Sequence, residues 1–128
     1  MQGFDKTFEQ VCTTSPCMVC GAYEVLDGLK KHLGVNVGET TADGKFHLME
    51  AECLGCCCNA PMMQIAGPVT NDAYYEDLTP ESAINIVEQL KNGETPKVGS
   101  QIGRHGSIGP QGKTVLLEEP AGPYCREL

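Results

Sequence analysis

The alternation and spacing of apolar side chains predict the first two elements of this chain. Residues 7–11 alternate between polar and apolar types, which indicates a short strand. Apolar residues then recur at steps of three and four, as on one face of a helix: Met18, Ala22, Val25, Leu26, Leu29 and Leu33. We expect this helix to begin at Pro16, since proline loses nothing at a first helical position. Thr14 or Ser15 can cap it, and Gly34 can end it.

The middle of the chain predicts three further strands and a second long helix. A turn at Asp43-Gly44 precedes the first of these strands. The predicted strands are residues 46–51, 62–65 and 73–76, the last two forming a hairpin with a longer loop. The helix starts at Thr79-Pro80 and ends at Asn92-Gly93. Its predicted inward side chains are Ala83, Ile84, Val87 and Leu90.

This β-α-β-β-β-α order predicts an α/β domain over residues 1–93, with helices layered on a small sheet. Residues 94–128 contain six glycines and four prolines and cannot form a core of their own. We therefore predict an extended tail at 94–128. Such a segment usually gains order by lying on something else, so we expect it to wrap over a partner protein, with Lys97 and Arg104 making polar contacts.

Charge and hydropathy exclude several classes of partner. The net charge of −8 lies entirely in residues 1–93, with 5 Lys/Arg against 13 Asp/Glu, which argues against nucleic acid because phosphate binding needs a positive surface. No apolar run approaches the roughly 20 residues that span a bilayer, so we expect no membrane insertion. No targeting leader is recognisable at the start. The glycine-rich residues 99–112 lack a framing strand and helix, so we expect no dinucleotide site.

Four of the eight cysteines form two spaced pairs, Cys12-x4-Cys17 and Cys53-x3-Cys57, on two predicted loops. Four convergent thiolates are typical of iron–sulfur clusters and of structural zinc. Zinc most often takes C-x2-C pairs, whereas the longer loops here favour a wider 2Fe–2S cluster with two cysteines on each iron. Structural zinc stays open as an alternative.

Cysteines in small domains also form disulfides or dithiol redox sites. A disulfide framework fits the three adjacent cysteines 56–58 poorly, because neighbouring side chains diverge and cannot all find partners. Cys17 and Cys20 form a C-x-x-C at a helix start, as in dithiol oxidoreductases. A dithiol enzyme would not need the second cysteine loop. The Cys17–Cys20 hypothesis stays as a less favoured alternative.

Residues 52–62 (ECLGCCCNAPM) and 11–17 (VCTTSPC) resemble the two cysteine motifs of the thioredoxin-like 2Fe–2S subunit of NADH:ubiquinone oxidoreductase, respiratory complex I, the 24 kDa flavoprotein-2 type. Residues 75–79, 100–104 and 119–123 extend the resemblance over nearly the whole chain. It implies a thioredoxin-like fold and one 2Fe–2S cluster with Cys12, Cys17, Cys53 and Cys57 as iron ligands. Members usually carry a helical region before the first cysteine strand, whereas this sequence starts eleven residues before Cys12.

The resemblance also implies an electron carrier without catalysis of its own. It would be a non-autonomous subunit of complex I that docks on the flavin-bearing, NADH-binding subunit, with FMN and NADH on that partner and not on this chain. The expected location is the matrix side of the mitochondrial inner membrane complex or, alternatively, the cytoplasmic face of a bacterial membrane. Related diaphorase subunits of NAD-linked hydrogenases and formate dehydrogenases share the cluster motif and give a second host enzyme.

The remaining cysteines and the ligand loops have simpler expected roles. We expect Cys56 and Cys58 to pack as small hydrophobic residues and Cys125 to be a free thiol in the tail. The turn from strand to helix should offer free N–H groups to Cys12 and Cys17. Gly55 allows either a close backbone approach to the cluster or a tight turn, and Pro61 stiffens the loop exit. The three histidines show no Rieske-like pairing with cysteine.

Overall fold

The computed structural model describes residues 6–108, apart from 69 and 71, together with the single positions 110, 112 and 117. The elements follow in the order β1 (Thr7–Cys12), α1 (Ser15–Val19), α2 (Ala22–Leu33), β2 (Phe46–Ala51), a 3-10 turn (Cys57–Asn59), β3 (Met63–Ala66), β4 (Ala73–Glu76), α3 (Pro80–Lys91) and β5 (Gly99–Ser100). The predicted strands and the second predicted helix are all present, with bounds within one or two residues of those expected.

The five strands form one mixed sheet in the order β2-β1-β3-β4-β5. Strand β1 pairs in parallel with β2 and antiparallel with β3. The predicted hairpin is the antiparallel pair of β3 and β4. Because β1 lies between two neighbours, the backbone at its carboxyl end is held from both sides, and this end carries Cys12.

The first predicted helix is two helices, which corrects the expected continuous one. Helix α1 stops at Val19, and α2 starts at Ala22 after Gly21, whose φ of +98° lies in the left-handed region that glycine tolerates. Met18 therefore lies off the apolar face and is 47% exposed, while Ala22, Val25, Leu26 and Leu29 are buried and Leu33 is half-buried. The predicted stop is correct, since Gly34 ends α2 in the left-handed conformation.

Helix α3 starts with a capping box, in which the Thr79 hydroxyl accepts from the Ser82 N–H and the Ser82 hydroxyl accepts from the Thr79 N–H. Its inward face differs from the prediction at one position. Ile86 is buried, whereas Ile84 is only half-buried. Residues 83, 86, 87 and 90 are the ones that follow the three-and-four spacing of a single face. Helices α2 and α3 share one apolar core with the sheet.

A buried carboxyl group lies in this core. Glu9 is fully buried, and neither of its carboxylate oxygens has a hydrogen-bond partner among the described residues. Burial raises the pKa of Glu9 to about 8, although the charge of Lys91 acts in the opposite direction. Val11, two residues along the strand, is buried with it, while Phe8 is 38% exposed. The apolar core therefore holds a carboxyl group whose raised pKa favours the protonated form at neutral pH.

The first part of the predicted tail lies on the domain itself. Strand β5 pairs in parallel with β4, and the Ser100 hydroxyl donates to the Asp77 carboxylate over 2.6 Å. The Arg104 guanidinium donates to Asp77 over 3.0 Å and to the carbonyl of Cys58 over 3.1 Å. Arg104, which we expected to contact a partner, thus has two partners within the chain. Lys97 is exposed. The boundary at residue 93 and the contact of the tail with a partner protein stay predictions.

Residues 119–123 and Cys125 lie outside the described residues. Within the described part of the chain, no helix has the length and apolar character needed to cross a membrane.

Candidate metal centre

The two cysteine loops meet beside the carboxyl end of β1. Cys12 is the last residue of β1, and Cys17 lies in α1 as predicted. The backbone ties this end to both sides of the second loop. The Cys12 N–H donates to the Met62 carbonyl over 3.2 Å, and the Thr13 N–H donates to the Ala51 carbonyl over 3.2 Å. Because Ala51 precedes the second cysteine loop and Met62 follows it, the first loop is held against the second.

Cys12 and Cys17 form a buried thiol pair, each about 1% exposed. Burial by itself would raise the pKa of the Cys12 thiol. Hydrogen bonds from the side chain and N–H of Thr14, with smaller ones from Cys17 and the Leu54 N–H, outweigh burial and lower this pKa. The same burial, with the hydrogen bond and charge of Cys12, raises the pKa of Cys17 to about 12. Of the two thiols, Cys12 is therefore the one that loses its proton more readily.

Thr14 has a function that the sequence did not indicate. We expected a helix cap, but its side chain makes no capping hydrogen bond. Instead its hydroxyl lies 3.1 Å from Cys12 Sγ. A hydroxyl two residues beyond a ligand cysteine is the signal that could have suggested this contact.

Cys53 and Cys57 form the second pair and are exposed. Their sulfur atoms lie 3.3 Å apart, and the Gly55 N–H donates to Cys53 Sγ over 3.4 Å. The hydrogen bond to Cys53 is the largest cause of the raised pKa of Cys57, followed by burial and the charge of Cys53. Gly55 has φ of +84°, and a Cβ there would meet nothing within 4 Å. The positive φ fits the tight turn, and the close approach of this backbone to a cluster stays a prediction.

The two pairs are close enough to interact. The charge of Cys57 raises the pKa of Cys17, and the charge of Cys12 raises that of Cys57. Four thiolates in one place therefore repel one another unless a cation neutralises them. The backbone N–H groups of Thr14, Leu54 and Gly55 point at sulfur, which also favours negative charge there. This donor set fits an iron–sulfur cluster.

The spread of the four sulfur atoms distinguishes a cluster from a single ion. Within the described residues, the only group of three or more ligand atoms that all lie within 4.8 Å of one another consists of Cys56, Cys58 and Glu76. The sulfur atoms on one tetrahedral zinc lie about 3.8 Å apart. No three of the four predicted ligand sulfur atoms lie within 4.8 Å of one another. This spread suits two metal atoms better than a single zinc.

The cysteines that are not predicted ligands behave differently from one another. Cys56 is buried against Cys12, Cys17, Ala22 and Met62, in line with its expected packing, and its thiol also donates to Glu76. The expected packing of Cys58 is wrong, because this residue is exposed. Cys20 is exposed as well, and the seven described cysteines are all free thiols. The Ala60–Pro61 peptide bond at the loop exit is cis.

A dithiol site at Cys17 and Cys20 is disfavoured by this geometry. The attacking cysteine of such a site is partly exposed and has a lowered pKa. Cys17 is buried, and its pKa is raised to about 12. The arrangement therefore suits metal ligation better than thiol–disulfide exchange.

Comparison with known proteins also points to an iron–sulfur protein. A family model described as "Thioredoxin-like [2Fe-2S] ferredoxin" matches residues 2–91. The mitochondrial "NADH dehydrogenase [ubiquinone] flavoprotein 2" of Dictyostelium discoideum is 55% identical over 122 residues, which is 95% of this chain and 47% of the relative. An NADH-quinone oxidoreductase subunit of Rickettsia bellii is 48% identical over 87 residues, 68% of this chain and 49% of the relative. This chain thus spans about half the length of these curated relatives.

Solved structures show the same fold. The thioredoxin-like [2Fe-2S] ferredoxin from Aquifex aeolicus superposes with a TM-score of 0.57 at 20% identity, covering 79% of this chain and 99% of that one. An NAD+-reducing [NiFe]-hydrogenase gives 0.61 at 15% identity, covering 73% of this chain and 16% of that one. At these identities the likeness supports the fold alone. Together with the family match, it confirms the resemblance that the two cysteine motifs indicated: the chain belongs to the thioredoxin-like [2Fe-2S] ferredoxin family.

Proposed function

We propose that this chain is the 2Fe–2S electron-carrier subunit of the NADH-oxidising module of complex I, and that it exchanges electrons with the flavin of the NADH-binding subunit. The observation that carries the proposal is the 55% identity to flavoprotein 2 over 95% of this chain. The convergence of two thiol pairs at the end of β1 agrees with it, since the matching motifs are the ones that meet in space.

The residues that would hold the cluster are Cys12, Cys17, Cys53 and Cys57. A bound 2Fe–2S cluster supplies one-electron redox chemistry, while the protein sets its surroundings. On this chain the two pairs of predicted ligands differ in their exposure to solvent. Cys12 and Cys17 are buried, whereas Cys53 and Cys57 are exposed. A redox partner can therefore approach most closely from the side of the Cys53–Cys57 loop.

The partner in this proposal carries both FMN and NADH, and other subunits of the peripheral arm complete the assembly. We propose the matrix side of the mitochondrial inner membrane complex, which the mitochondrial relative at 55% identity supports; the alternative is the cytoplasmic face of a bacterial membrane. Residues 94–128 stay the predicted segment of contact with a partner, on the strength of their glycine and proline content.

A diaphorase subunit of an NAD-linked hydrogenase is the second candidate. The fold of the [NiFe]-hydrogenase chain supports it with a TM-score of 0.61, but the sequence identity is only 15%. The complex I relatives are 48% and 55% identical, so complex I is the better host.

The proposal predicts that NADH reduces this protein only through a flavoprotein. The cluster-loaded chain alone should show no NADH-dependent ferricyanide reduction above a blank, since the described residues contain no glycine-rich strand–turn–helix for a dinucleotide. Adding the NADH-binding flavoprotein subunit should allow NADH to bleach the visible absorption of the chain. The control is chemical reduction of the same sample by dithionite. NADH-dependent bleaching without any flavoprotein would contradict the proposal.

A further inference from the structure

A second group of metal-ligand atoms lies beside the proposed cluster ligands and takes no part in that site. The sulfur atoms of Cys56 and Cys58 and a carboxylate oxygen of Glu76 all lie within 4.8 Å of one another. Cys56 and Glu76 are 4% and 6% exposed, while Cys58 faces solvent. From this group we infer a binding site for a single thiophilic divalent cation of the zinc class, formed by Cys56, Cys58 and Glu76.

The alternation of side-chain contacts along residues 56–58 explains why the Cys56 and Cys58 thiols are separate from the cluster ligands. Cys57 lies between them in sequence, and its sulfur is 3.3 Å from that of Cys53. The thiols on either side of it meet Glu76 on β4 instead, since Cys56 donates to that carboxylate and Cys58 belongs to the same group. The three adjacent cysteines thus divide their sulfur atoms between two groups, Cys57 with Cys53 and the other two with Glu76.

The carboxylate gives an independent reason to expect a cation. Buried carboxylates are usually paired with a positive group or bound to a metal. Among the described residues Glu76 makes no ion pair, and the nearby Arg104 guanidinium is used by Asp77 and the Cys58 carbonyl. The hydrogen bonds that the described residues donate to Glu76, from Cys56 and from Asn59 Nδ2, both go to Oε1. Its second oxygen is left for a metal.

The ligand chemistry selects the class of cation. Two thiolates and one carboxylate suit zinc, whose bonds to sulfur are about 2.3 Å and to carboxylate oxygen about 2.0–2.2 Å long. A separation of 4.8 Å or less needs only a small contraction to reach that geometry. On binding, the two thiol protons are released to solvent and the cation takes their place. Since Cys58 is exposed, the fourth position opens to solvent and takes a water molecule.

The test uses the cluster-loaded chain under anaerobic, reducing conditions. Zinc chloride is added in competition with a chromophoric chelator, and zinc and iron are counted after gel filtration. We expect one zinc per chain, with the iron content and the visible spectrum unchanged. Cys58→Ala and Glu76→Gln should each weaken zinc binding by at least about tenfold, the lower range of what supporting groups of a metal site contribute. The amide oxygen introduced by Glu76→Gln would still accept the hydrogen bond from Asn59.

The matched control is Cys20→Ala, the same substitution at another exposed cysteine, which should bind zinc like the unchanged chain. Equal zinc affinity in the Cys58→Ala and Cys20→Ala variants would overturn the inference. So would zinc uptake that occurs only as iron is lost, because the metal would then be occupying the cluster thiols. Either result leaves the proposed electron-carrier function standing, since iron content reports on the cluster separately.

Discussion

Replacing Cys57 by alanine should abolish the iron–sulfur cluster, whereas replacing its neighbour Cys58 should leave the cluster in place. The two residues are adjacent and both exposed, so the same substitution has a similar effect on packing. They differ in their neighbours. Cys57 Sγ lies 3.3 Å from Cys53 Sγ, whereas Cys58 Sγ lies within 4.8 Å of a carboxylate oxygen of Glu76. We expect iron content and visible absorption to fall more than about tenfold in Cys57→Ala, since a direct ligand contributes more than its supporting shell.

Alanine is the substitution of choice at the four ligand positions, because a serine hydroxyl can take the place of a thiolate on iron. Cys12→Ala, Cys17→Ala and Cys53→Ala should behave like Cys57→Ala. At Cys56 the appropriate change is serine, which keeps a donor for Glu76, and this variant should stay coloured. A colourless Cys56→Ser variant together with a coloured Cys57→Ala variant would show that the fourth ligand is Cys56.

The second large effect concerns stability, and it comes from Glu9. The Glu9→Gln variant should be more stable than the unchanged chain, and the difference should grow with pH. The pKa of Glu9 rises from 4.5 to about 8 on folding. The unchanged chain is therefore most stable below pH 4.5, where Glu9 is protonated in both the folded and the unfolded state. Its free energy of unfolding then falls as pH rises from 4.5 through about 8. Between these two pKa values, each pH unit lowers the free energy of unfolding by about 1.4 kcal/mol.

Between about pH 6 and pH 8 the unchanged chain should thus lose about 2 kcal/mol relative to Glu9→Gln. The measurement is urea unfolding of the cluster-loaded chains at both pH values, followed by circular dichroism. The comparison removes the contribution of the cysteines, because both chains carry the same thiols. Glu94→Gln is the matched control, since this glutamate is exposed beyond α3. A pH dependence that is the same in all three chains would show that Glu9 does not titrate in the core.

Most of the fold was predictable because its signals are local. Periodic apolar residues, Gly34, the Asp43-Gly44 turn and Thr79 each act within a few residues, and they gave the elements that they indicated except that the first helix is divided at Gly21. The site prediction rested on something different. Spacing and resemblance brought Cys12, Cys17, Cys53 and Cys57 together, and the backbone bonds between the two loops supply the physical reason that they meet.

The features that the sequence did not reveal depend on neighbours distant in the chain. Strand β5 has only two residues and no pattern of its own, and it forms because β4 offers a free edge. Glu9 is buried because β1 is an interior strand and this face of it lies in the core with α2 and α3, which its own alternation cannot show. The break at Gly21 splits an apolar stripe that would otherwise suggest a single helix. Cys56 and Cys58 looked equivalent in sequence, yet one is buried against Glu76 and the other is exposed.

We propose above that four cysteines of this chain hold a two-iron cluster. Its most direct test is chemical analysis of the purified chain combined with electron paramagnetic resonance before and after reduction by dithionite. We expect two irons and two acid-labile sulfides per chain, no signal in the oxidised state, and the signal of one unpaired electron after reduction. A single zinc or iron held without sulfide, and no signal on reduction, would contradict it.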